Sequence, residues 1–449
     1  MNILLDKYLK IIIGLLLFSL IVIPTSHSIN SFYVSLGFLN FDFYDFVFVS
    51  LIFISIISIV FRIKHRIRIP AKLFKMTTAF VALNFIYLLL GLLLYENTNQ
   101  SLYDFRVISY YIILLIPFNL FGFNSLKDLI FIRNIFLFGL FMYSILTFSY
   151  FILPDIHPYS SFLENDDFIE LGRIAFHQEY LFIIGVPICF KILISKNEST
   201  QTKFLVLIVL IIFLTKLIVG MSRGLILIVL FATIISLNDN FKFTLKFKKI
   251  KIINFFKIIT FLLLSSFILI NFVFPNVYEN SMEILSYFIS RFLGFFADDS
   301  SNFISTHIDN RYIMLIEGLN QILKSGFLGF GYGYTFSIDH HEWYLIKLSF
   351  IDSSIVTILI RSGILSLILY LAIMLDIHKN FKYFSKSLAK EKNQKMKSFL
   401  NILSSSVIMI LLFSFINSFM VFSKSALIFL LLVSIINSIF HSERNIYSS

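Results

Sequence analysis

Between Asp309 and Trp343 the chain gathers many of its side chains suited to acid–base and anion chemistry. The stretch reads Asp309-Asn310-Arg311-Tyr312, then Gly326-Phe-Leu-Gly329-Phe-Gly331-Tyr-Gly333, then Asp339-His340-His341-Glu342-Trp343, which ends on the single tryptophan of the chain. A histidine beside a carboxylate titrates near neutral pH and can take a proton from an attacking hydroxyl. Neighbouring residues of a regular element point in different directions, so only one of His340 and His341 is expected to serve a given pocket. Gly326, Gly329, Gly331 and Gly333 permit positive φ and close backbone approach. They predict a pre-shaped turn, whose N–H groups could also cradle a phosphate. The strand and helix of a βαβ unit are missing around them, so a dinucleotide fingerprint is rejected.

Four arginines extend the anion chemistry. Arg173 closes an acidic stretch (Glu164, Asp166, Asp167, Glu170), Arg223 lies between two apolar segments, Arg311 opens an amphipathic one, and Arg361 sits inside an apolar one. A guanidinium suits bidentate recognition of phosphate, and ionisable groups at membrane depth tend to be functional or paired. The pairing alternatives are Asp298, Asp299, Glu317 and Asp352. His307 supplies a further histidine, yet the sequence has no convergent metal-ligand spacing. No metal and no cofactor are expected. A hydrolase-type nucleophile motif is missing too. The single Cys189 excludes an intramolecular disulfide and a cysteine zinc cluster, and reads as a small apolar side chain.

The elements that must position these groups are apolar helices. The chain is 58% hydrophobic and only 14% charged, with a mean hydropathy of +0.88, whereas soluble domains carry about 25% charged residues. A bilayer core requires about twenty apolar residues per helix. Twelve segments qualify: 11–24, 43–61, 76–95, 107–123, 129–153, 178–194, 204–220, 224–237, 258–275, 348–373, 398–417 and 425–440. The first is read as a retained helix, because Ser26-His27-Ser28 is a poor signal-peptide cleavage site. The expected fold is all-α: a polytopic membrane protein of about twelve spans, forming one domain over residues 1–449. Two longer outer loops are expected, 154–177 and 276–347, the second carrying the polar stretch. Within it, 282–297 is apolar enough to lie on the membrane surface, and Asn302 to Leu323 has helical spacing.

Charge orients this arrangement. With the N-terminus inside, the cationic segments 62–75, 242–257 and 379–397 all fall on the cytoplasmic side, as the positive-inside rule requires. That topology puts 27 Lys/Arg and 7 Asp/Glu inside, against 10 and 19 outside, and both termini in the cytoplasm. The basic balance is thereby explained by topology, and no nucleic-acid partner is expected.

The order of these motifs resembles the bacterial O-antigen polymerase and ligase superfamily. Ser222-Arg223-Gly224 is similar to that family's Ser-Arg-Gly, and Gly172-Arg173-Ile-Ala-Phe to its arginine preceding a helix. Arg311, the turn Gly329-Phe-Gly331, His340 or His341, and Gly363 in Arg361-Ser-Gly363-Ile follow in the family's order, so the likeness covers about 170–375. The resemblance implies a metal-independent glycosyltransferase in the cytoplasmic membrane, with its site facing the periplasm or cell exterior. Its partners would be undecaprenyl-diphosphate-linked oligosaccharides, the bilayer, a flippase and a chain-length regulator. It assigns Arg223 and Arg311 to the diphosphate, one of His340 and His341 to activating the acceptor hydroxyl, and Arg173 to positioning. Arg361 and the glycines Gly329, Gly331 and Gly333 complete the substrate-binding set. A polymerase is favoured over a ligase that transfers glycan to lipid A core or protein. The alternative from another class is a twelve-span transporter or polysaccharide flippase. That alternative predicts repeated halves and midplane charges, for which only Lys216, Arg361 and Lys424 are available.

Overall fold

The computed structural model describes residues 2–23, 34–36, 39–61, 70–95, 98–152, 179–195, 198–219, 223–237, 265, 302–340, 343–348, 353–390, 393–415 and 426–447. In chain order they form α1 (Asn2–Val22), β1 (Val34–Leu36), β2 (Leu39–Phe41), α2 (Phe43–Phe61), α3 (Ala71–Leu94) and α4 (Thr98–Ser109). Two 3-10 turns follow, Tyr110–Leu115 and Phe118–Phe121, then α5 (Leu126–Ile152), α6 (Glu179–Ile194), α7 (Thr200–Val219) and α8 (Arg223–Leu237). The last group is α9 (Asn302–Lys324), β3 (Phe336–His340), β4 (Trp343–Leu348), α10 (Ser354–Lys390), α11 (Gln394–Phe413) and α12 (Ala426–Tyr447). Among the described residues the protein is helical, apart from two short antiparallel hairpins that hydropathy does not reveal. Among the described residues, five helices are long and apolar enough to cross a membrane: Phe43–Val60, Ala71–Leu94, Leu126–Leu146, Ser354–Leu388 and Gln394–Phe413. The predicted loop 154–177, the predicted span 258–275 apart from Ser265, and the surface segment 282–297 lie outside the described residues.

Helix α3 shows how the apolar sequence sorts itself. Its buried residues are Leu73, Thr77, Phe80, Asn84, Leu88 and Gly91, steps of three and four that make one stripe along a 3.6-residue helix. Phe85, Ile86, Leu89, Leu90, Leu93 and Leu94 are exposed on the rest of its surface, as suits a helix facing lipid. By contrast α12 is buried all round from Ala426 to Val433. It is the central helix of the bundle.

Residues 107–123 do not form the single span that their hydropathy predicts. Helix α4 ends at Ser109 and the two 3-10 turns surround Pro117, which fixes φ and has no N–H to donate. The irregular backbone is buried against α12, which satisfies it: Phe118 N–H donates to Ser438 Oγ at 3.1 Å, and Ser434 Oγ donates to the Ile116 carbonyl at 3.3 Å. Non-helical backbone is tolerated at membrane depth where protein covers it in this way.

A second departure falls at 348–373. Helix α10 breaks at Gly363, which has φ 71° and ψ −176°. Ser353 Oγ donates to the Ser414 carbonyl, while the Tyr370 hydroxyl pairs with Ser414 Oγ at 3.1 Å. On a straight helix these two positions would lie about 25 Å apart, so the segment before Gly363 folds across the one after it. The rod that continues runs to Lys390, which turns much of the cationic segment 379–397 into helix.

Contacts at helix ends divide the bundle into two poles. At one, Lys10 meets Asp128 at 2.6 Å, Ser442 Oγ meets Asn124, and Glu198 joins Arg133 and Lys395. The starts of α1, α5 and α11 and the ends of α6 and α12 therefore coincide. At the other, the Tyr44 hydroxyl donates to the carbonyls of Leu20 and Ile23, and Arg106 pairs with Asp45.

Candidate functional site

The glycine-rich turn is wedged at this second pole between the end of α3 and the break in α10. Helix α9 terminates in a left-handed cap: Phe327 N–H returns to the Ile322 carbonyl at 3.1 Å and Gly326 N–H to Leu323 at 3.0 Å, the paired bonds of a Schellman ending. Phe327 itself holds φ 65°, a conformation that is costly for a side chain of that size. Two contacts fix it there. Its carbonyl accepts from Ile364 N–H at 2.9 Å, and the neighbouring Leu328 carbonyl accepts from the Tyr87 hydroxyl.

Breaking α10 at Gly363 leaves carbonyls without their helical donors, and the turn supplies replacements. Phe330 N–H donates to Ile360 at 2.7 Å and Gly331 N–H to Arg361 at 2.9 Å, while Tyr332 N–H reaches Tyr87 of α3 at 3.3 Å. Gly333 N–H bonds the Asp104 carboxylate. The N–H groups of residues 330–333 are therefore bonded to protein acceptors. Backbones touch with no room for side chains: a Cβ on Gly91 would lie 1.9 Å from the Tyr332 carbonyl oxygen, and one on Gly329 would lie 2.6 Å from Gly363 N. Gly331 and Gly333 also hold positive φ. The turn predicted for Gly329, Gly331 and Gly333 is present, with its N–H groups directed at α3, α4 and α10.

Arg361 ties the assembly together. Its Nη2 lies 2.7 Å from Asp104 Oδ2, with 1% and 0% of the two side chains exposed. The guanidinium carbon is 5.8 Å from the centre of the Tyr332 ring, within cation–π range. Gln100 Nε2 donates to Asp104 at 2.7 Å. The Tyr332 hydroxyl donates to Asn84 Oδ1 at 2.6 Å, and Asn84 Nδ2 donates to Ser366 Oγ at 2.8 Å. Burial pushes the Asp104 carboxyl above its ordinary value, against the opposing pull of Arg361, Gln100 and the Gly333 N–H. Burial likewise pushes the Tyr332 phenol far up, so this tyrosine stays a neutral donor.

Of the other expected site residues, Arg311 and His340 lie on elements that adjoin the turn in sequence. Arg311 lies on the backbone of α9, which packs on α10. His340 ends β3, in register with Trp343 across the hairpin. Arg223 is the first residue of α8. Arg173 and His341 lie outside the described residues, as do Asp298, Asp299 and Asp352. A small apolar cluster of Ile322, Phe336, Val356 and Ile360 fastens α9 and β3 to α10. The Tyr334 hydroxyl adds a 2.7 Å bond to Gln321 Oε1, folding the start of the hairpin back along α9.

Arg361 pairs with Asp104, an acid outside the four pairing alternatives weighed for the arginines, three of which lie outside the described residues. Asp104, Asn84, Tyr332 and Gly91 are the residues that sequence reasoning passed over. Asn84 inside an apolar helix and Gly91 amid leucines (Leu88-Leu89-Leu90-Gly91-Leu92) were the available signals, since polar or very small residues in such helices mark close interhelical contact. Among the described residues no three His, Cys, Asp or Glu side chains are grouped to hold a metal ion. The architecture defines a helical membrane protein. No model of a known protein family matches the chain, and comparison with curated proteins gives no match either.

Proposed function

We propose that this chain is a polysaccharide polymerase of the O-antigen type. It would join undecaprenyl-diphosphate-linked oligosaccharide repeat units at the outer face of a bacterial cytoplasmic membrane. The observation that carries the reading is the docking of the Gly329-Phe-Gly331 turn on the Gly363 break. Two separate motifs of the resemblance meet there, backbone to backbone, and the elements bearing Arg311 and His340 both leave that junction. Topology supports the assignment of sides. Lys10, Arg133, Lys191 and Lys395 gather at the pole opposite the turn, which under the positive-inside rule supports an outer position for the turn. The chain is read as twelve spans with both termini cytoplasmic.

In the proposed reaction the acceptor hydroxyl of one lipid-linked unit attacks the anomeric carbon of the donor glycan. The bond from that carbon to the diphosphate oxygen breaks, the hydroxyl proton passes to His340 or His341, and the lipid diphosphate leaves. Arg311 and Arg223 stabilise the charge developing on the diphosphate, and Arg173 positions the glycan. Arg361, held by Asp104, fixes the turn that positions the other groups.

The test uses purified protein in detergent, synthetic lipid-linked repeat units and no ion gradient. A ladder of polymers is expected, reduced at least about a hundredfold by Arg311→Ala, the scale of losing one transition-state donor. Full-length polymer from Arg311→Ala at normal protein levels would sink the diphosphate assignment. Transfer to lipid A core instead of polymer growth would identify a ligase.

A further inference from the structure

The opposite pole holds a cavity of about 480 Å³ between α5, α6 and α11, within the roughly 300–1,000 Å³ of small-molecule sites. Among the described residues its walls carry Arg133, Lys191, Lys395 and Lys397 and one acid, Glu198. Glu198 is engaged twice, with Arg133 at 2.6 Å and Lys395 at 3.1 Å, so with Lys397 one carboxylate faces three cations, and among the described residues positive charge is in excess. Ser398 lines the same wall, and its Oγ is buried with no hydrogen-bond partner among the described residues. The Arg133 and Glu198 side chains are almost wholly buried, at 9% and 7% exposure. Like charges held this close in a partly dry recess repel one another, and an anion relieves that repulsion.

We propose that this cavity binds a phosphate group. It opens at the pole where α6 ends and α11 begins, level with the ends of apolar helices, where an anionic phospholipid headgroup is within reach. Basic recesses between membrane helices are sites of that kind. A soluble phosphate offers the same chemistry. The inference is independent of the polymerase reading, since it concerns the other end of the molecule.

The experiment places the full-length protein in phosphatidylcholine nanodiscs or neutral detergent. It measures binding of phosphatidylglycerol by native mass spectrometry, and the unfolding midpoint with added phosphatidylglycerol, phosphatidylcholine or inorganic phosphate. The parent is compared with the double variant Lys395→Gln, Lys397→Gln. Both side chains lie in the first turn of α11, where glutamine is also a good helix former, and an unchanged midpoint without ligand shows that the variant is folded. Expected is a phosphatidylglycerol-specific rise in the parent midpoint, with affinity weakened roughly tenfold or more in the double variant. The same pattern with inorganic phosphate alone assigns the site to a soluble ligand and leaves the phosphate proposal standing. Equal binding by parent and variant would place the anion elsewhere, for instance on other basic segments, and overturn the proposal. So would the lack of any response in the parent. Should the double variant lose its midpoint before ligand is added, Lys397→Gln alone carries the same comparison.

Discussion

Arg361 and Arg133 are both guanidiniums drawn out of water by apolar helices, and each has a carboxylate within hydrogen-bond distance. Their surroundings differ. Arg361 faces Asp104 with essentially no solvent exposure on either side, one base matched to one acid, and Gln100 and Gly333 N–H complete the carboxylate. Arg133 shares Glu198 with the half-exposed Lys395, beside a cavity that also presents Lys191 and Lys397. The first pair is closed and matched one to one, which suits it to positioning a backbone turn. The second is open and unbalanced, the condition under which charge remains for binding. The same residue types therefore serve architecture at one pole and recognition at the other, and what decides between them is how many cations each acid must serve.

The largest effect is expected from breaking the closed pair. Asp104→Asn keeps the shape and leaves Arg361 as an uncompensated buried charge, a loss of about 3–5 kcal/mol. Combining it with Arg361→Met should restore most of that stability, because the charge left unpaired by the first change is removed by the second. Unfolding of the detergent-purified proteins checks both. If Asp104→Asn unfolds at the parent midpoint, the pair is not what holds the turn, and the contrast between poles fails.

Next in size is the glycine contact that the closed pair braces. Alanine is the better helix former by about 1 kcal/mol, so Gly91→Ala would stabilise α3 if space allowed. Its Cβ, however, would fall 1.9 Å from the Tyr332 carbonyl oxygen, a backbone atom that cannot rotate aside. Overpacking of this kind costs about 1–3 kcal/mol, and the expected net result, after the helix gain, is destabilisation by up to about 2 kcal/mol. A Gly91→Ala protein as stable as the parent would show that the turn is not fastened through α3.

Much of the helical framework was legible because hydropathy registers burial in lipid or protein directly; α2, α5 and α6 follow the predicted 43–61, 129–153 and 178–194 closely. It failed where an apolar stretch is not a straight helix. Pro117 and Gly363 interrupt two predicted spans, and the interruptions are tolerated only because Ser434, Ser438 and the docked turn satisfy the freed backbone. No local pattern announces partners three hundred residues away. The turn at Gly329 to Gly333 was readable from glycine spacing, but its direction was not, since that depends on Gly91 and on α10. Arg361 was singled out correctly as a deep charge, whereas Asp104 was hidden because it sits in the polar helix Thr98–Ser109, where an acid attracts no notice.

The smallest effect sharpens the comparison from outside both clusters. Lys72 pairs with Asp376 at 3.2 Å, and its side chain is 68% exposed. Water and salt screen such a pair, so Lys72→Ala should cost no more than about 1 kcal/mol. That small cost should fade further between low salt and about 1 M, where the screening length drops to about 3 Å. The pair has the same charges as Arg361 and Asp104 and a separation only slightly longer, so burial is the main variable that differs. Should Lys72→Ala destabilise the protein as much as Asp104→Asn, solvent exclusion would not be what separates these ion pairs. The division of the bundle into an architectural pole and a recognition pole would then lose its physical basis.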